Sequence, residues 1–495
     1  MMVSSDAAAV LSAQVRWQHP SFQRGGIDQT QLEIADAPTE AIPFSFMVLG
    51  DTDQGRASAE FSSEFSNQLM QQFGDSRFLL HTGDVTYPIG SYQNYLEGFL
   101  RPYQSLLSQV PACPSYESSS VVFRYPFLPV PGNHDYANLP PKSRLWHSLL
   151  CKICDRLRRA GIDWGHYGGE GGEAYARAFL DDLAAVPEQQ LSAYLADHYS
   201  ANSSAVFSRH SRCLSYRPGQ FSRLPNRYYR FRYAGVEFFA LDSNTWNMPP
   251  DAEGFDSEQL DWLARSLIES LRLDQTVDSA NPRTVARVLY LHHSPYTTEE
   301  SRWQQPETLW VRKHLRGVLD RVASELDIPN ANRVNGTYAN GTHSNGVHVE
   351  SPALVDLVLS GHAHCLEHVK TGDTGHADAD MNWVVCGGSG TDIRRQRKNG
   401  VNILENISYA GRSSTRVAAS SRLYAGMHGQ GIKKQQFHSF LKVEVLPREK
   451  YALVLHPFVV SKHQESWKTQ ALAAIRVAPR IERYQENKTF TKLAS

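Results

Sequence analysis

Short apolar runs alternate along the chain with polar loops and with stretches of helical periodicity. The apolar runs lie at residues 44–49, 77–81, 127–130, 236–241, 285–291, 355–360 and 383–386, and each is short enough to be a buried strand. Helical patterns follow at 58–73, 92–107, 144–159 and 174–195, from 256 or 257 onward, and at 306–326. Strands alternating with helices favour parallel pairing through crossover connections, and therefore an α/β fold.

Four regions interrupt this alternation. Residues 1–43 are mixed and polar, and we expect an N-terminal extension with an edge strand near 13–17. Residues from about 140 to 230 predict a helical insertion, and the Asn- and Gly-rich residues 330–348 predict a mobile loop. Alternation over 437–445 and 451–460 predicts a hairpin. We therefore divide the chain into an extension (1–43), a catalytic domain (44–395) and a C-terminal accessory segment packed on it (396–495).

The composition is that of a globular protein without a strong global charge. The 495 residues are 41% hydrophobic and 20% charged, with a formal net charge of −1, so the overall field does not attract nucleic acid or an anionic membrane. No apolar stretch is long enough to span a bilayer. Six cysteines are too few for a disulfide framework in a chain of this length. With no basic N-terminal region typical of a secretion signal, we predict a cytoplasmic protein.

Polar side chains of a narrow set of types follow the apolar runs directly. In chain order, the segments are Gly50-Asp51, Gly83-Asp84 with Tyr87, Gly132-Asn133-His134-Asp135, His292-His293, and Gly361-His362 with His364. Ligands bind at the carboxyl ends of the strands in open α/β sheets. We therefore expect these side chains to converge on one edge of the sheet.

The converging set offers carboxylates, an amide and imidazoles, but no thiolate. Such donors favour Mn, Fe, Zn or Co over a structural sulfur site. The number of donors is sufficient for two ions, and a close pair of ions can clamp a phosphoryl group and lower the pKa of a water molecule. One carboxylate must then be shared, because two neighbouring cations repel each other.

The ordered series of motifs resembles the calcineurin-like metallophosphoesterases, nearest the purple-acid-phosphatase-like branch, over about residues 44–392. The resemblance implies an α/β/β/α four-layer sandwich with a dinuclear metal site at the strand ends, a helical insertion and a C-terminal β extension. It implies two divalent or mixed-valence ions, and hydrolysis of phosphate mono- or diesters through attack by a metal-bridging hydroxide. The substrate would be a phosphorylated small molecule, a nucleotide or a phosphoprotein.

The resemblance also implies residue roles. Asp84 would bridge the ions, with Asp51 and His364, and Tyr87 as a further candidate, at the first ion. Asn133, His362 and one of His292 and His293, of which we favour His292, would bind the second. His134 would protonate the leaving group, and Asp135 would fix the tautomer of His134.

Three questions stay open at the level of sequence. Asp53 departs from the family pattern and competes with Tyr87 as a ligand of the first ion. The arginine-rich stretches 207–232 and 394–398 could line a basic channel of a nuclease or nucleotide phosphodiesterase. A non-catalytic metal-binding scaffold is the other alternative, although retention of His134 beside Asp135 argues against it.

Overall fold

The computed structural model describes residues 5–52, 59–91, 94–109, 121–136, 172–201, 212–252, 254–275, 284–328, 354–390, 392–409, 412–429, 434–447, 452–463 and 466–477. The predicted helix at 144–159, the predicted loop at 330–348 and Asp53 lie outside these ranges. None of the helices in the described ranges combines the length and the apolar composition needed to cross a bilayer.

Seven α-helices and several shorter turns are present in the described ranges. The α-helices are α1 (Ser5–Gln14), α2 (Pro20–Gly25), α3 (Ala59–Phe73), α4 (Glu173–Phe179), α5 (Glu188–His198), α6 (Ser257–Gln275) and α7 (Pro306–Glu325). A π-helical turn covers Tyr95–Leu100, and 3-10 turns cover Gln104–Leu106, Leu183–Ala185 and Ser243–Thr245.

The strands of the first half of the chain are β1 (Ile27–Ile34), β2 (Phe44–Leu49), β3 (Ser76–His81), β4 (Leu107–Gln109), β5 (Val122–Phe123), β6 (Phe127–Pro129), β7 (Tyr199–Ala201), β8 (Arg212–Tyr216), β9 (Tyr229–Tyr233) and β10 (Val236–Ala240). Those of the second half are β11 (Ala286–Tyr290), β12 (Leu357–Ser360), β13 (Leu366–Thr371), β14 (Asn382–Cys386), β15 (Asn402–Tyr409), β16 (Arg412–Ala425), β17 (Met427–His428), β18 (Gln435–Gln436), β19 (His438–Val445), β20 (Leu453–His463), β21 (Ser466–Ala471) and β22 (Ile475–Val477).

Two large sheets contain most of these strands. The eleven-stranded sheet has the order β15-β16-β13-β14-β12-β11-β10-β9-β1-β8-β7, and the seven-stranded sheet has the order β21-β20-β19-β2-β3-β6 with β22 beside β20. The strands β2, β3 and β6 are parallel, and so are β10, β11, β12 and β14. The predicted α/β class and the predicted parallel pairing are therefore confirmed.

The two sheets pack against each other through aromatic side chains. The rings of Phe46 and Phe78, on β2 and β3, lie 5.3 and 5.4 Å from Phe238 of β10, and Phe78 lies 5.7 Å from Phe231 of β9. Such edge-to-face contacts bury large apolar area and fix the geometry of the pair. The carboxyl ends of the motif-bearing strands of both sheets thereby come together.

Helices cover the outer faces of both sheets. On the seven-stranded sheet, Phe65 of α3 packs 5.8 Å from Phe440 of β19. On the eleven-stranded sheet, α6 and α7 share a core with β11 and β12 that includes Leu263, Leu315 and Leu289. The apolar positions of α6 recur on one face and the helix is polar elsewhere, which is the pattern expected of a helix lying on a sheet.

The prediction for the N-terminal extension was wrong. Residues 13 and 14 end helix α1, and the strand of this region is β1, which lies between β8 and β9 inside the large sheet. Its sequence IDQTQLEI is polar, but its polar side chains have partners. Gln29 donates to the carbonyl of Val15 at 2.8 Å, and Arg230 donates to Gln31 at 2.8 Å. Satisfied polar groups can be buried at little cost.

The helical insertion predicted over 140–230 needs a similar correction, whereas the predicted C-terminal hairpin is confirmed. The described part of 140–230 contains α4 and α5, separated by the 3-10 turn at Leu183–Ala185, but also strands β7 and β8 of the large sheet. The predicted hairpin exists as antiparallel β19 and β20, and β19 pairs directly with β2. The C-terminal residues thus complete the sheet that carries three of the motifs. The single helix predicted over 92–107 is instead a π-helical turn followed by a 3-10 turn.

Candidate metal centre

The motif residues come from the ends of five strands, three in one sheet and two in the other. Asp51, Asp84 and Asn133 follow β2, β3 and β6 of the seven-stranded sheet, whereas His292 and His362 follow β11 and β12 of the eleven-stranded sheet. The two sheets face each other, so these loops meet. The structure brings together all of the predicted site residues that it describes.

Three of these residues have the left-handed backbone conformation. The φ angles are +56° at Asp51, +53° at Asp84 and +64° at His362. This conformation is uncommon for residues other than glycine and costs free energy, and it is concentrated at functional sites. It turns each side chain back toward the edge of its own sheet, where the other motif residues lie.

Glycine at two positions permits the close approach of the loops. A Cβ atom at Gly132 would lie 2.1 Å from Oδ1 of Asp84, and one at Gly361 would lie 2.6 Å from Oδ2 of Asp51. Any larger residue would displace a carboxylate. Glycine is therefore needed at each of these two positions, because an aspartate of the neighbouring loop lies against the glycine backbone.

A first group of donors surrounds the hydroxyl of Tyr87. Its oxygen lies 2.9 Å from Oδ1 of Asp51, 2.7 Å from Oδ2 of Asp84 and 3.3 Å from Nε2 of His364. Nε2 of His364 is 3.5 Å from Oδ1 of Asp51. The arrangement is compatible with Tyr87 as a ligand and does not choose between Tyr87 and Asp53.

A second group of donors surrounds Nε2 of His292. That atom lies 3.3 Å from Oδ2 of Asp84, 3.0 Å from Oδ1 of Asn133 and 3.2 Å from Nδ1 of His362. Oδ2 of Asp84 therefore faces both groups, while its Oδ1 accepts a 2.8 Å hydrogen bond from the backbone N–H of His134. Asp84 occupies the position that a shared ligand requires.

The choice between His292 and His293 follows from their hydrogen bonds. Nδ1 of His292 lies 2.9 Å from the carbonyl of Thr82 and must donate to it, which leaves Nε2 as the nitrogen that faces Asp84. His293 has Ser243 at 2.9 Å from Nδ1 and the side-chain amide of Asn247 at 3.1 Å from Nε2. Both nitrogens of His293 are thus held by neighbours, which favours His292 as the ligand, although the ring of His293 also lies in the cluster.

Burial and the neighbouring charges shift the pKa values of Asp51, Asp84 and His292. Burial raises the pKa of Asp51 to about 6. Burial alone would raise the pKa of Asp84 as well, but the neighbouring His292 and His134 hold it well below its usual value. Burial would lower the pKa of His292, yet the carboxylate of Asp84 raises it to about 9. Without an added cation the site keeps one carboxylate ionised by holding a proton on an imidazole.

The residues present fit a pair of metal ions. In the described ranges, ligand atoms of Asp51, Asp84 and His292 lie within 4.8 Å of one another, and those of His292, His293 and His362 form a second such group. Among the described residues, Nε2 of His362 is buried and has no hydrogen-bond partner. Leaving a buried polar nitrogen unbonded costs free energy, and a bound ligand would remove that cost. Oxygen and imidazole donors without thiolate match the metals predicted from the sequence.

His134 lies beside the first group, with its ring centroid 4.2 Å from that of Tyr87. Its Nδ1 is 2.6 Å from the carbonyl of Pro88 and must donate to it, because a carbonyl oxygen can only accept. The Pro88 carbonyl therefore sets the tautomer of His134, and any proton transfer by this ring would use Nε2.

The role predicted for Asp135 needs correction for the same reason. Its fully buried carboxylate accepts from the backbone of Gly132 at 2.8 Å, from the backbone of Val85 at 3.3 Å and from the Tyr95 hydroxyl at 2.7 Å. Burial raises its pKa to about 7. Asp135 fastens the loop after β6 to the loop after β3, and so positions His134 and Asn133 without orienting the imidazole of His134.

Sequence reasoning missed the outer partners of the cluster. Nδ1 of His364 lies 2.8 Å from the carbonyl of Asp392 and 3.3 Å from its carboxylate, and Arg394 pairs with that carboxylate at 2.8 Å. Outer partners of this kind orient metal-binding histidines. In the sequence, the basic stretch 394–398 was the only sign of these contacts. That stretch was assigned, from the sequence alone, to a possible nucleic-acid channel.

Comparison with known proteins adds little to this geometry. No model of a protein family matches the chain, and no curated protein matches it. Among solved structures, the chain is similar to a protein described as "GAP50 the anchor in the inner membrane complex of Plasmodium", with 12% sequence identity and a TM-score of 0.37. The alignment covers 90% of this chain and 93% of that chain. A likeness at this level carries no inference for the present chain.

Proposed function

We propose that the protein is a metal-dependent phosphoester hydrolase of the calcineurin-like type, with two divalent or mixed-valence ions at the candidate metal centre. The observation that carries the proposal is the position of Asp84, whose Oδ2 lies 2.7 Å from Tyr87 in one donor group and 3.3 Å from His292 in the other. A carboxylate shared by two donor groups is what a two-ion centre needs. When bound, two such ions supply Lewis-acid activation of a phosphoryl group and of a water molecule.

The residues of the chain would act on the substrate through position and proton transfer. Asp51, Asp84, Asn133 and the histidines fix the donor atoms on short loops at strand ends, where the geometry is rigid. With its Nδ1–H held by Pro88, protonated His134 presents a proton at Nε2 for the leaving oxygen. Direct displacement by water then releases phosphate and the alcohol without a covalent enzyme intermediate.

Three arginines of the 207–232 stretch give no support to the nuclease alternative. Arg223, Arg227 and Arg230 are buried. The guanidinium of Arg227 pairs with Asp242 at 2.9 Å and with Asp256. These three side chains are therefore buried in the fold, and the ion pairs of Arg227 are internal. We therefore prefer a small phosphorylated molecule, a nucleotide or a phosphoprotein as substrate, and we propose a cytoplasmic location, consistent with buried free Cys213, Cys365 and Cys386.

The direct test uses metal-stripped protein that is reloaded separately with Mn, Fe, Zn or Mg. Hydrolysis of a chromogenic phosphate monoester and of its diester counterpart is measured for the wild type, Asp84→Asn and His134→Ala. Metal-dependent turnover that is lost in Asp84→Asn, and reduced in His134→Ala at unchanged metal content, supports the proposal. If two ions bind tightly and neither ester is hydrolysed with any metal, the non-catalytic scaffold becomes the better account.

A further inference from the structure

One segment of the chain contacts both His134 and the residue that follows it. At the start of this segment, the carbonyl of Pro88 accepts from Nδ1 of His134 at 2.6 Å. At its end, the hydroxyl of Tyr95 donates to Oδ1 of Asp135 at 2.7 Å. We call the described part of 88–95 the His134 clamp, because it holds two successive residues of the loop after β6.

The His134 clamp is closed by its own hydrogen bonds and fits against the loop that it holds. Asn94 donates through Nδ2 to the carbonyl of Ile89 at 2.9 Å, and through its backbone N–H to the hydroxyl of Ser91 at 3.2 Å. A Cβ atom at Gly90 would lie 2.1 Å from the carbonyl oxygen of Asp135. Glycine therefore lets the two backbones touch at this point.

The ring of Tyr95 is fixed as well as its hydroxyl. Tyr95 is fully buried, and its ring makes an edge-to-face contact with Phe179 of α4, with the centroids 5.3 Å apart. Tyr95 also begins the π-helical turn, in which the N–H of Arg101 bonds to the carbonyl of Leu96 at 2.9 Å. Such turns are rare and are frequently found at functional sites. A ring fixed in this way gives its hydroxyl a defined position against Asp135.

We propose that Tyr95 is a positioning residue for proton transfer by His134, an inference that rests on the proposed function. By holding Asp135, Tyr95 fixes the carbonyl of Pro88 relative to the backbone that carries the imidazole. That carbonyl then holds the ring so that the proton on Nε2 can pass to the leaving oxygen as its bond to phosphorus breaks. A displacement of about 1 Å in such an arrangement can slow a reaction about 100-fold.

The test compares Tyr95→Phe with Tyr199→Phe. Tyr199 is a matched control, because it is also fully buried and its hydroxyl also donates to a buried carboxylate, that of Asp181, at 2.8 Å. It lies on β7, at the edge of the eleven-stranded sheet. Each substitution removes one hydroxyl and one hydrogen bond to a carboxylate, so urea unfolding should show similar losses of stability for the two variants.

Hydrolysis of phenyl phosphate and of p-nitrophenyl phosphate separates positioning from a general loss of structure. Phenolate is the poorer leaving group, so the phenyl ester depends more on a proton from His134. For Mn-loaded Tyr95→Phe with the metal content of the wild type, we expect kcat to fall about tenfold for phenyl phosphate and much less for p-nitrophenyl phosphate. Tyr199→Phe should leave both rates unchanged. Equal losses for the two esters in Tyr95→Phe would overturn the inference.

A second measurement does not depend on hydrolysis. In Zn-loaded protein with isotope-labelled histidine, the imidazole N–H resonance of His134 is identified by its absence in His134→Ala, and its exchange with solvent is measured by NMR. We expect this exchange to be about tenfold faster in Tyr95→Phe and unchanged in Tyr199→Phe, because the bond to Pro88 protects the proton. Faster exchange supports the inference even if the wild type hydrolyses no ester. Unchanged exchange in Tyr95→Phe would show that the imidazole is held without Tyr95, and the inference would be wrong.

Discussion

Two buried polar clusters share the loop after β11 and differ in how they balance charge. The candidate metal centre contains Asp51, Asp84 and His292. The second, which we call the arginine cluster, consists of Tyr296, Arg312, Arg316, Asp378 and Glu405. There Arg316 pairs with Asp378 at 2.8 Å and with Glu405 at 2.7 Å, and Arg312 pairs with Glu405.

In the described ranges, arginine side chains balance the buried carboxylates in only one of the clusters. Among the described residues, no arginine or lysine pairs with Asp51 or Asp84, although the two carboxylates are 0% and 1% exposed. The arginine cluster is therefore complete and serves stability. In the candidate centre, the compensating charge is instead a proton on His292, next to Asp84, and a bound metal ion would take the place of that proton.

The largest expected effect comes from removing the shared carboxylate. Asp84→Asn should abolish detectable metal-dependent hydrolysis, with a loss beyond the roughly 100-fold effect of altering an outer partner of a metal ligand. It should also reduce the bound metal measured by elemental analysis from two ions to one or none. Arg321→Gln, which breaks an exposed ion pair with Asp261 on α7, is the control and should keep both ions. Two ions retained in Asp84→Asn would show that Asp84 is not the shared ligand.

The converse change in the arginine cluster should affect stability and leave the metal unaffected. Arg316→Met removes the arginine that pairs with the buried carboxylate of Asp378 and one of the two arginines that pair with Glu405. Breaking a buried ion pair in this way lowers the free energy of unfolding by about 3–5 kcal/mol. Urea unfolding measures the loss. Arg321→Met on the same helix breaks an exposed pair and should cost less than about 1 kcal/mol. Altered metal content in Arg316→Met would mean that the two clusters are not independent.

The sequence predicted the candidate centre better than it predicted the surrounding fold. Each ligand type follows an apolar run directly, so the parallel strands alone bring Asp51, Asp84 and Asn133 to one edge. The interior strand β1 could not be predicted in the same way. Its Thr30 is buried with a hydrogen bond from Trp262, more than 200 residues away, at 2.9 Å, and its neighbour Gln31 accepts from the similarly distant Arg230.

The contacts that orient the histidines of the site could not be predicted from the sequence, for another reason. His134 is oriented by the carbonyl of Pro88, and His292 by the carbonyl of Thr82. Every residue has a carbonyl, so such a contact leaves no trace in residue type. A carboxylate next to a histidine, as in His134-Asp135, suggested the wrong partner for that reason.

The pH dependence of stability should have opposite signs in the two clusters. Burial raises the pKa of Asp51 to about 6, so in metal-free protein the group disfavours folding at pH 7, and this penalty disappears as the pH falls from about 6 toward 3.8. The full penalty is about 3 kcal/mol. Asp51→Asn should therefore stabilise metal-free protein at pH 7 by more than at pH 5, as measured by urea unfolding.

Glu405 provides the matched control. Burial alone would raise its pKa, but Arg312 and Arg316 lower it, so its contribution to stability is complete above pH 4.5 and is lost as the pH falls further. Glu405→Gln should accordingly destabilise the protein more at pH 7 than at pH 4. If Asp51→Asn destabilises metal-free protein at pH 7, the carboxylate is compensated within the protein and the contrast between the clusters does not hold.

The smallest effect separates the clusters by their response to metal. An ion that binds only the folded protein stabilises it by about 2.7 kcal/mol when its free concentration is 100 times the dissociation constant. Loading with Mn should therefore raise the Tm of the wild type and of Arg316→Met by similar amounts, because the arginine cluster already has its cations. Asp84→Asn should show little or no increase. An equal increase in all three proteins would place the stabilising ion outside the candidate centre, since the carboxylate that faces both donor groups would then contribute nothing to binding it.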